Sequence, residues 1–196
     1  MPGFGSDYDD ITQTLGASFG PIKQLEPRSP DSFRELLIVF LSHHSDRQAA
    51  RLIACLDHAG WSSDPISLAE SDPQELAESL RDSRGVPPTG LVPPLRRLAA
   101  WVVSHGGMEG LAECNTATLR DELRSIRGLG PQTADHLLLE ALRRPTFPVS
   151  RSDYRVLIRH GWIDATADYD EAREVIEAAA PLDPDHLLQL SAWFAE

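Results

Sequence analysis

The residues with the clearest chemical potential surround a glycine-rich turn, Gly128-Leu129-Gly130-Pro131, between two segments of helical spacing. Glycine can adopt positive φ or let another backbone approach closely, and proline at a first helical position removes an N–H that would have no partner. The following helix therefore begins with free N–H groups at the positive end of its dipole, which suits a phosphate. A purely structural glycine turn is an equal alternative on these residues alone.

The two segments that flank the turn have the apolar spacing of a helical hairpin. The first segment carries Leu119, Leu123 and Ile126 on one face. The second carries apolar residues at i, i+3, i+4, i+7 and i+8, namely Ala134, Leu137, Leu138, Ala141 and Leu142. This spacing predicts two short amphipathic helices that pack on a common core. Asp135 falls outside the apolar set, so we expect it on a solvated face.

Further polar residues follow the hairpin. Pro145 and Pro148 predict an extended run, after which Ser150 is placed to cap a helix with Asp153 at the third position, as in a capping box. The capping role is one interpretation of both residues. Arginines are concentrated here, at Arg143, Arg144, Arg151, Arg155 and Arg159. They indicate either a phosphate-facing surface or a set of ion pairs.

Composition limits the classes of function. The chain has 196 residues and a formal net charge of −12, which argues against a broadly basic, non-specific nucleic-acid binder but allows a local basic patch. Its two cysteines, Cys55 and Cys114, cannot supply the four thiolates of an iron–sulfur cluster, and the scattered histidines suggest no metal site. Without a signal peptide or a long apolar run, we expect a cytoplasmic protein, nucleoid-associated if the source is prokaryotic.

The whole chain has the pattern of an all-α protein with about nine or ten helices. Residues 1 to 30 predict a loose arm with one short helix. Ser29 and Pro30 predict the start of a helix that ends at a polar break from Ser42 to Asp46, where a second helix with Ala50, Leu52, Ile53 and Leu56 buried begins. Later helices are predicted at five places, from Asp72-Pro73, from Pro93-Pro94, from Ser150, over Tyr169–Ala180 and from Asp183-Pro184.

Four segments in this order resemble the endonuclease III type of DNA glycosylase, of the helix-hairpin-helix superfamily with a Gly/Pro-rich loop and a catalytic aspartate. They are Leu36 to Asp46, Arg84-Gly85-Val86 with the following helix, Ile126 to Ala134, and Pro145 to Val156. The resemblance covers the chain from about residue 30 onward. It implies two helical lobes, one of residues 34–147 that contains the hairpin 119–142, and one of residues 1–33 with 148–196.

The resemblance also implies a function and a set of site residues. The protein would bind double-stranded DNA as a monomer and flip a damaged or mismatched base out of the helix. DNA contacts would come from Gly128, Leu129, Gly130, Gln132, Thr133 and Arg151. His43 and His44 would lie at the base pocket, unless they are a surface pair. A monovalent cation at the hairpin is the one cofactor implied.

Two substitutions depart from the family pattern. Gln132 occupies the position of the family's lysine, and an amide cannot form the Schiff base on which lyase chemistry depends. Ser150 occupies the position of the family's aspartate, where a negative charge stabilises an oxocarbenium ion or activates water. The cysteine-bearing tail of the family, expected after Trp193, is either lost in evolution or lies outside this sequence.

Asp153 could replace the missing carboxylate, because it lies about one helical turn beyond Ser150 on the same face. The sequence therefore favours a monofunctional or weak DNA N-glycosylase without lyase activity, with Asp153 as the first catalytic candidate. The alternative is a catalytically inactive member of the same fold that reads DNA structure or binds another protein.

Overall fold

The computed structural model describes residues 3–20, 32–81 and 90–195, without the side chains of residues 45 and 46. Ser29, Pro30 and the Arg84-Gly85-Val86 segment lie outside these ranges. Within them the chain forms eleven α-helices and one π-helical segment, with no β-strand, which confirms the all-α prediction. No helix in these ranges has the length and apolarity needed to cross a membrane.

The helices follow one another in chain order with short connections. They are α1 (Phe4–Phe19), α2 (Phe33–His58), α3 (Pro65–Glu70), α4 (Pro73–Ser79), α5 (Val92–Ser104), α6 (Met108–Glu113), α7 (Thr116–Ser125), α8 (Pro131–His136) continued by the π segment (Leu137–Ala141), α9 (Arg151–Arg159), α10 (Tyr169–Ala179) and α11 (Pro184–Ala195).

Aspartate and serine caps start several of the helices that the sequence signals. Asp72 accepts hydrogen bonds from the N–H groups of Gln74 and Glu75 at the start of α4. Ser150 and Asp153 form the predicted capping box of α9. The same Asp-Pro signal at Asp64-Pro65 starts α3, which the sequence analysis missed. These local bonds satisfy N–H groups that lack partners within the helix.

The polar break predicted from Ser42 to Asp46 is wrong, because α2 runs unbroken through it. This stretch contains neither glycine nor proline, so no residue in it is a strong helix breaker. Leu52, Ile53 and Leu56 then continue the buried face, whereas Ala50 is exposed, contrary to expectation.

The described part of the N-terminal arm, residues 3–20, is more helical than predicted. It forms the sixteen-residue helix α1, whose Phe4 and Tyr8 are buried. Phe19, at the end of this helix, is 49% exposed. Phe4 packs edge-on against Trp162, a contact between distant parts of the chain that no local pattern predicts.

Buried apolar side chains form two clusters. The first contains only residues from Phe33 to Ala141, and the second contains Phe4 and Tyr8 with residues from Leu139 to Phe194. The division into lobes at residues 34 and 147 stays a prediction, although two such clusters are what it requires. Leu139 belongs to the second cluster while Leu138 belongs to the first, so the π segment joins both.

The π segment explains how this helix serves two cores. Leu137, Leu138, Leu139 and Ala141 are all buried, as is Ala134 in α8, whereas Leu142 is half-buried. A regular α-helix with the predicted stripe would leave Leu139 outside the core. The wider π turn, which inserts one residue into a helical repeat, changes the direction of the following side chains.

Asp135 is fully buried, which corrects the expectation of a solvated residue. Its carboxylate accepts hydrogen bonds from Arg120 Nε at 2.7 Å, from the Tyr169 hydroxyl at 2.7 Å and from the Thr146 hydroxyl at 3.2 Å. Arg120 also donates to Asp170 Oδ1 at 2.8 Å. The two helices of the hairpin are thereby bound to each other and to the start of α10.

We expect Asp135→Asn to lower the free energy of unfolding by about 3–5 kcal/mol, because it leaves the buried Arg120 guanidinium without its main countercharge. Chemical denaturation of the two proteins measures this difference. Asp121→Asn is the control, since Asp121 is exposed on α7 and should change stability by less than about 0.5 kcal/mol. Equal stability of the Asp135 variant and the control would contradict the assignment.

Candidate functional site

The glycine-rich turn joins α7 to α8 and is anchored by Leu129. Leu129 is only 6% exposed, and its N–H donates to the Ile126 carbonyl at 3.0 Å. Gly128 has φ +105°, and a Cβ there would lie 3.0 Å from Pro94 Cβ. Gly130 has an ordinary φ of −84°, and a Cβ there would meet no heavy atom within 4 Å. The fold therefore requires glycine at 128 but not at 130.

The first turn of α8 presents free backbone donors. Ala134 N–H bonds to the Gly130 carbonyl at 3.0 Å, but no side chain caps this helix. Among the described residues, the N–H groups of Gln132 and Thr133 have no hydrogen-bond acceptor. Together with the following π segment, the helical run extends from Pro131 to Ala141. Such donors at a helix start can bind an anion.

A cavity of about 320 Å³ lies directly against these donors. It is lined by Gly130, Pro131, Gln132, Thr133, Val149, Ser150, Arg151, Tyr154 and Tyr169. The structure therefore brings the hairpin turn and the start of α9 to one cavity. Gln132, Ser150 and Arg151, which were singled out in the sequence, all contribute to its wall.

Tyr169 holds the two walls of the cavity together. Its hydroxyl donates to Asp135 Oδ2 at 2.7 Å and accepts a hydrogen bond from the Val149 N–H at 3.2 Å. Burial and the neighbouring Asp135 carboxylate raise the pKa of Tyr169 above its ordinary value, so the phenol stays protonated and can donate. Ser150 is thereby fixed opposite the hairpin turn.

Asp153 lies behind the cavity wall and is only 3% exposed. Its carboxylate accepts a hydrogen bond from the Ser150 N–H, while the Ser150 hydroxyl accepts one from the Asp153 N–H at 3.2 Å. Burial raises the pKa of the Asp153 carboxyl, against the effect of these hydrogen bonds. Asp153 is not among the residues that line the cavity. Its catalytic role stays a prediction.

The two adjacent histidines of α2 point to different partners. His43 stacks on His136 of α8 with ring centroids 3.4 Å apart and an interplanar angle of 15°. His44 stacks instead on Phe40, with centroids 5.6 Å apart. Successive helical residues differ in direction by about 100°, so the pair cannot act together at one point. His43 is the member that reaches the hairpin helix.

His43 and His136 both contact one carboxylate. Glu140 Oε1 lies 2.8 Å from His43 Nε2 and 2.8 Å from His136 Nδ1. Burial would raise the pKa of Glu140, but the hydrogen bonds from both imidazoles outweigh it and lower the pKa to about 2. Burial lowers the pKa of His136, although its hydrogen bond to the Glu140 carboxylate acts in the opposite direction. An ionised Glu140 beside a predominantly neutral His136 is the state expected near pH 7.

The five arginines after the hairpin divide into two groups. Arg143 pairs with Asp185, and Arg144 donates to the carbonyl of Leu111 at 3.2 Å. The other three, Arg151, Arg155 and Arg159, are exposed along α9 and have no ion-pair partner among the described residues. Their four-residue spacing places them on one helix face. This face continues from the cavity wall at Arg151.

Several structures of known DNA glycosylases superpose on this chain. The 3-methyladenine DNA glycosylase MagIII of H. pylori, bound to 1,N6-ethenoadenine, has a TM-score of 0.73 at 19% identity and covers 95% of this chain and 94% of its own. A non-covalent endonuclease III–DNA complex has a TM-score of 0.69 at 18% identity, and the match covers 97% of this chain and 84% of the endonuclease III chain. The protein has the endonuclease III-like glycosylase fold. The expected fold class is confirmed.

Sequence comparison gives a shorter match. A protein of Methanocaldococcus jannaschii named "Putative DNA repair glycosylase" is 39% identical over 92 residues, which cover 45% of this chain and 42% of the relative. The aligned segment thus spans less than half of either protein. No family model matches the chain.

Sequence reasoning missed four residues of this site, namely Asp135, His136, Glu140 and Tyr169. Tyr169 carries no local signal, because its role depends on a contact with a helix that starts near residue 131. His136 and Glu140 do carry one, since their i, i+4 spacing places them on one helical face. The spacing alone does not indicate a cluster, because the third member, His43, comes from α2 and contacts them only in the folded chain.

We expect alanine at the two glycines of the turn to affect stability differently. Gly128→Ala should lower the free energy of unfolding by about 1–3 kcal/mol, because φ +105° strains an L-residue and Pro94 is in contact. Gly130→Ala should change it by less than about 1 kcal/mol, since its Cβ has space and an ordinary φ. Thermal unfolding measures both. A larger loss at Gly130 than at Gly128 would contradict the described turn.

Proposed function

We propose that the protein is a DNA base-excision-repair glycosylase without lyase activity. It would bind duplex DNA through the hairpin and flip a damaged or mismatched base into the molecule. Water would then hydrolyse the N-glycosidic bond, with Asp153 as the carboxylate that supports the developing oxocarbenium ion. The observation that carries this proposal is the cavity between the hairpin turn and Ser150, on the glycosylase fold.

Backbone N–H donors and exposed arginines support the proposal that the protein binds DNA. The free N–H groups of Gln132 and Thr133 suit a phosphate oxygen, and a close approach is possible because Gly130 carries no side chain. Arg151 lies on the same cavity wall, and the arginine face of α9 extends from it. A few such contacts can bind DNA even though the whole chain is acidic. Leu129 and Gly128 would shape the turn, and a monovalent cation could bind the turn carbonyls.

Residue chemistry at the two substituted positions supports the absence of lyase activity. Gln132 lines the cavity with an amide, whose nitrogen lone pair is delocalised and cannot attack the sugar. Ser150 contributes a hydroxyl that cannot supply negative charge near neutral pH. Asp153 is the nearest carboxylate along the chain, and its burial behind Ser150 limits its access to a substrate.

That limited access favours a second candidate function. In this alternative the protein keeps the fold and the DNA contacts but has lost the chemistry, and it reads DNA structure or binds a protein partner. The specific observation is that the Asp153 carboxylate is engaged in the capping box and does not line the cavity. Both candidates share the hairpin contact with DNA and differ only in hydrolysis.

We expect Gly130→Asp to weaken binding to a duplex with an abasic-site analogue by at least about tenfold at low salt, because it places a carboxylate where a phosphate would approach. Fluorescence anisotropy measures the affinity. Gly3→Asp is a matched control, since Gly3 caps α1 with φ −90° and ψ 164° and a Cβ there also meets nothing within 4 Å. Unchanged affinity of a folded Gly130 variant would exclude the hairpin as the DNA contact.

Incubation with a panel of lesion-bearing duplexes, followed by alkali, tests hydrolysis. We expect strand cleavage only after alkali, with the rate reduced at least about 10²-fold in Asp153→Asn and little changed in Ser150→Ala. Borohydride should trap no covalent complex, because Gln132 cannot form a Schiff base.

A capping-box control separates chemistry from stability in that experiment. Glu171 plays the same part in the capping box of α10 that Asp153 plays in α9, so Glu171→Gln should retain activity. The unfolding free energies of both variants show how much of any loss in Asp153→Asn comes from stability. Duplex binding without cleavage of any lesion would support the inactive alternative. A trapped complex would show that another amine performs the reaction.

A further inference from the structure

Three metal-ligating side chains from distant parts of the chain meet beside the hairpin helix. They are His43 of α2, His136 of α8 and Glu140 of the π segment, and one donor atom from each lies within 4.8 Å of the other two. The nitrogens that face Glu140 are His43 Nε2 and His136 Nδ1, each 2.8 Å from the same carboxylate oxygen. In the metal-free chain these contacts are hydrogen bonds to Glu140, and the three donor atoms surround one small volume.

The donor set is one that zinc uses in proteins. Two imidazoles and one carboxylate occur in open zinc sites, where metal–ligand distances are about 2.0–2.2 Å and a fourth position holds water or substrate. Donors in such a tetrahedral site are about 3.3 Å apart. Each nitrogen would therefore move about half an ångström away from the Glu140 oxygen, and the two nitrogens would have to adopt the same separation from each other, for a metal ion to lie between the three donors.

The surroundings meet the other requirements of such a site. The side chains of His43, His136 and Glu140 are 28%, 10% and 18% exposed, so they are held by the fold yet open to solvent on one side. The two imidazole rings are stacked at 15° with centroids 3.4 Å apart, so their in-plane lone pairs run nearly parallel. The ring of His43, the more exposed of the two histidines, must therefore turn out of the stack for both nitrogens to point at one ion. An ion could enter without unfolding of the helices.

We propose that His43, His136 and Glu140 form a binding site for a divalent transition-metal ion, with zinc as the first candidate and one coordination position open. Nitrogen-rich donors favour zinc and its neighbours in the first transition series over magnesium and calcium, which prefer oxygen ligands. The sequence predicted no metal site, because His43 and His136 are 93 positions apart and their contact exists only in the folded chain. This site does not depend on DNA binding.

Gln132 is placed to orient one ligand. Its side-chain amide lies 3.4 Å from His136 Nε2, on the opposite side of the ring from Glu140. An amide can donate in one orientation and accept in the other. When it accepts from Nε2–H, it leaves Nδ1 with a free lone pair for a metal. Outer-shell groups of this kind fix the tautomer of metal-binding histidines.

Titration of the chelator-treated full chain with Zn²⁺, by calorimetry and by competition with a chromophoric chelator, tests the proposal. We expect one Zn²⁺ per chain and a higher melting temperature in its presence. His136→Ala and Glu140→Gln should each lose more affinity than the roughly 10–100-fold expected for the outer-shell variant Gln132→Leu. Co²⁺ should give the visible absorption of a four-coordinate nitrogen–oxygen site, and His136→Ala should abolish it.

The adjacent histidine provides the control. His44 stacks on Phe40 and does not reach the cluster, so His44→Ala should retain full zinc affinity. Circular dichroism of the apo forms establishes that the variants are folded. Absence of stoichiometric binding by the wild-type chain would overturn the proposal. Equal affinity of the wild type and the folded His136→Ala variant would also overturn it, since the ion would then be held elsewhere.

Discussion

The buried carboxylate of Asp135 is the interaction on which the rest of the site depends. It binds Arg120 from the first hairpin helix and the Tyr169 hydroxyl from α10, while Tyr169 also holds the Val149 N–H. One charge thus fixes the two hairpin helices relative to each other and sets Ser150 opposite the turn. Because a buried charge is costly unless fully paired, this arrangement tolerates little variation.

This constraint produces a cavity whose walls differ in chemistry. The hairpin wall offers backbone N–H groups at a helix start, and the opposite wall offers Ser150, Arg151 and two tyrosines. The positive potential is therefore local to this cavity, whereas the whole chain has a formal net charge of −12. The arrangement suits an anion held at a defined distance from a small pocket, which agrees with the glycosylase fold and with the DNA-binding role proposed for it.

The π segment links this site to the histidine cluster. It places Leu138 and Leu139 in different hydrophobic clusters and carries Glu140 to a point between His43 and His136. π turns are frequently found at functional sites, because the extra residue is retained only where its altered direction is useful. Gln132 lies between the cavity and the cluster, so both groups share one helix and one supporting network.

Local signals in the sequence determined much of this protein. Capping residues, prolines and apolar spacing specify α4, α9, the extended run before Ser150 and the buried face of the hairpin, because these depend on neighbours a few residues apart. The same signals failed at Ser42–Asp46, where polarity was taken for a break, and at Asp135, whose polarity suggested solvent. Tertiary structure alone decided the burial of Asp135, the position of Asp153 behind Ser150 and the meeting of His43 with His136. Each of these rests on contacts between distant segments, and such contacts are fixed only when the helices pack.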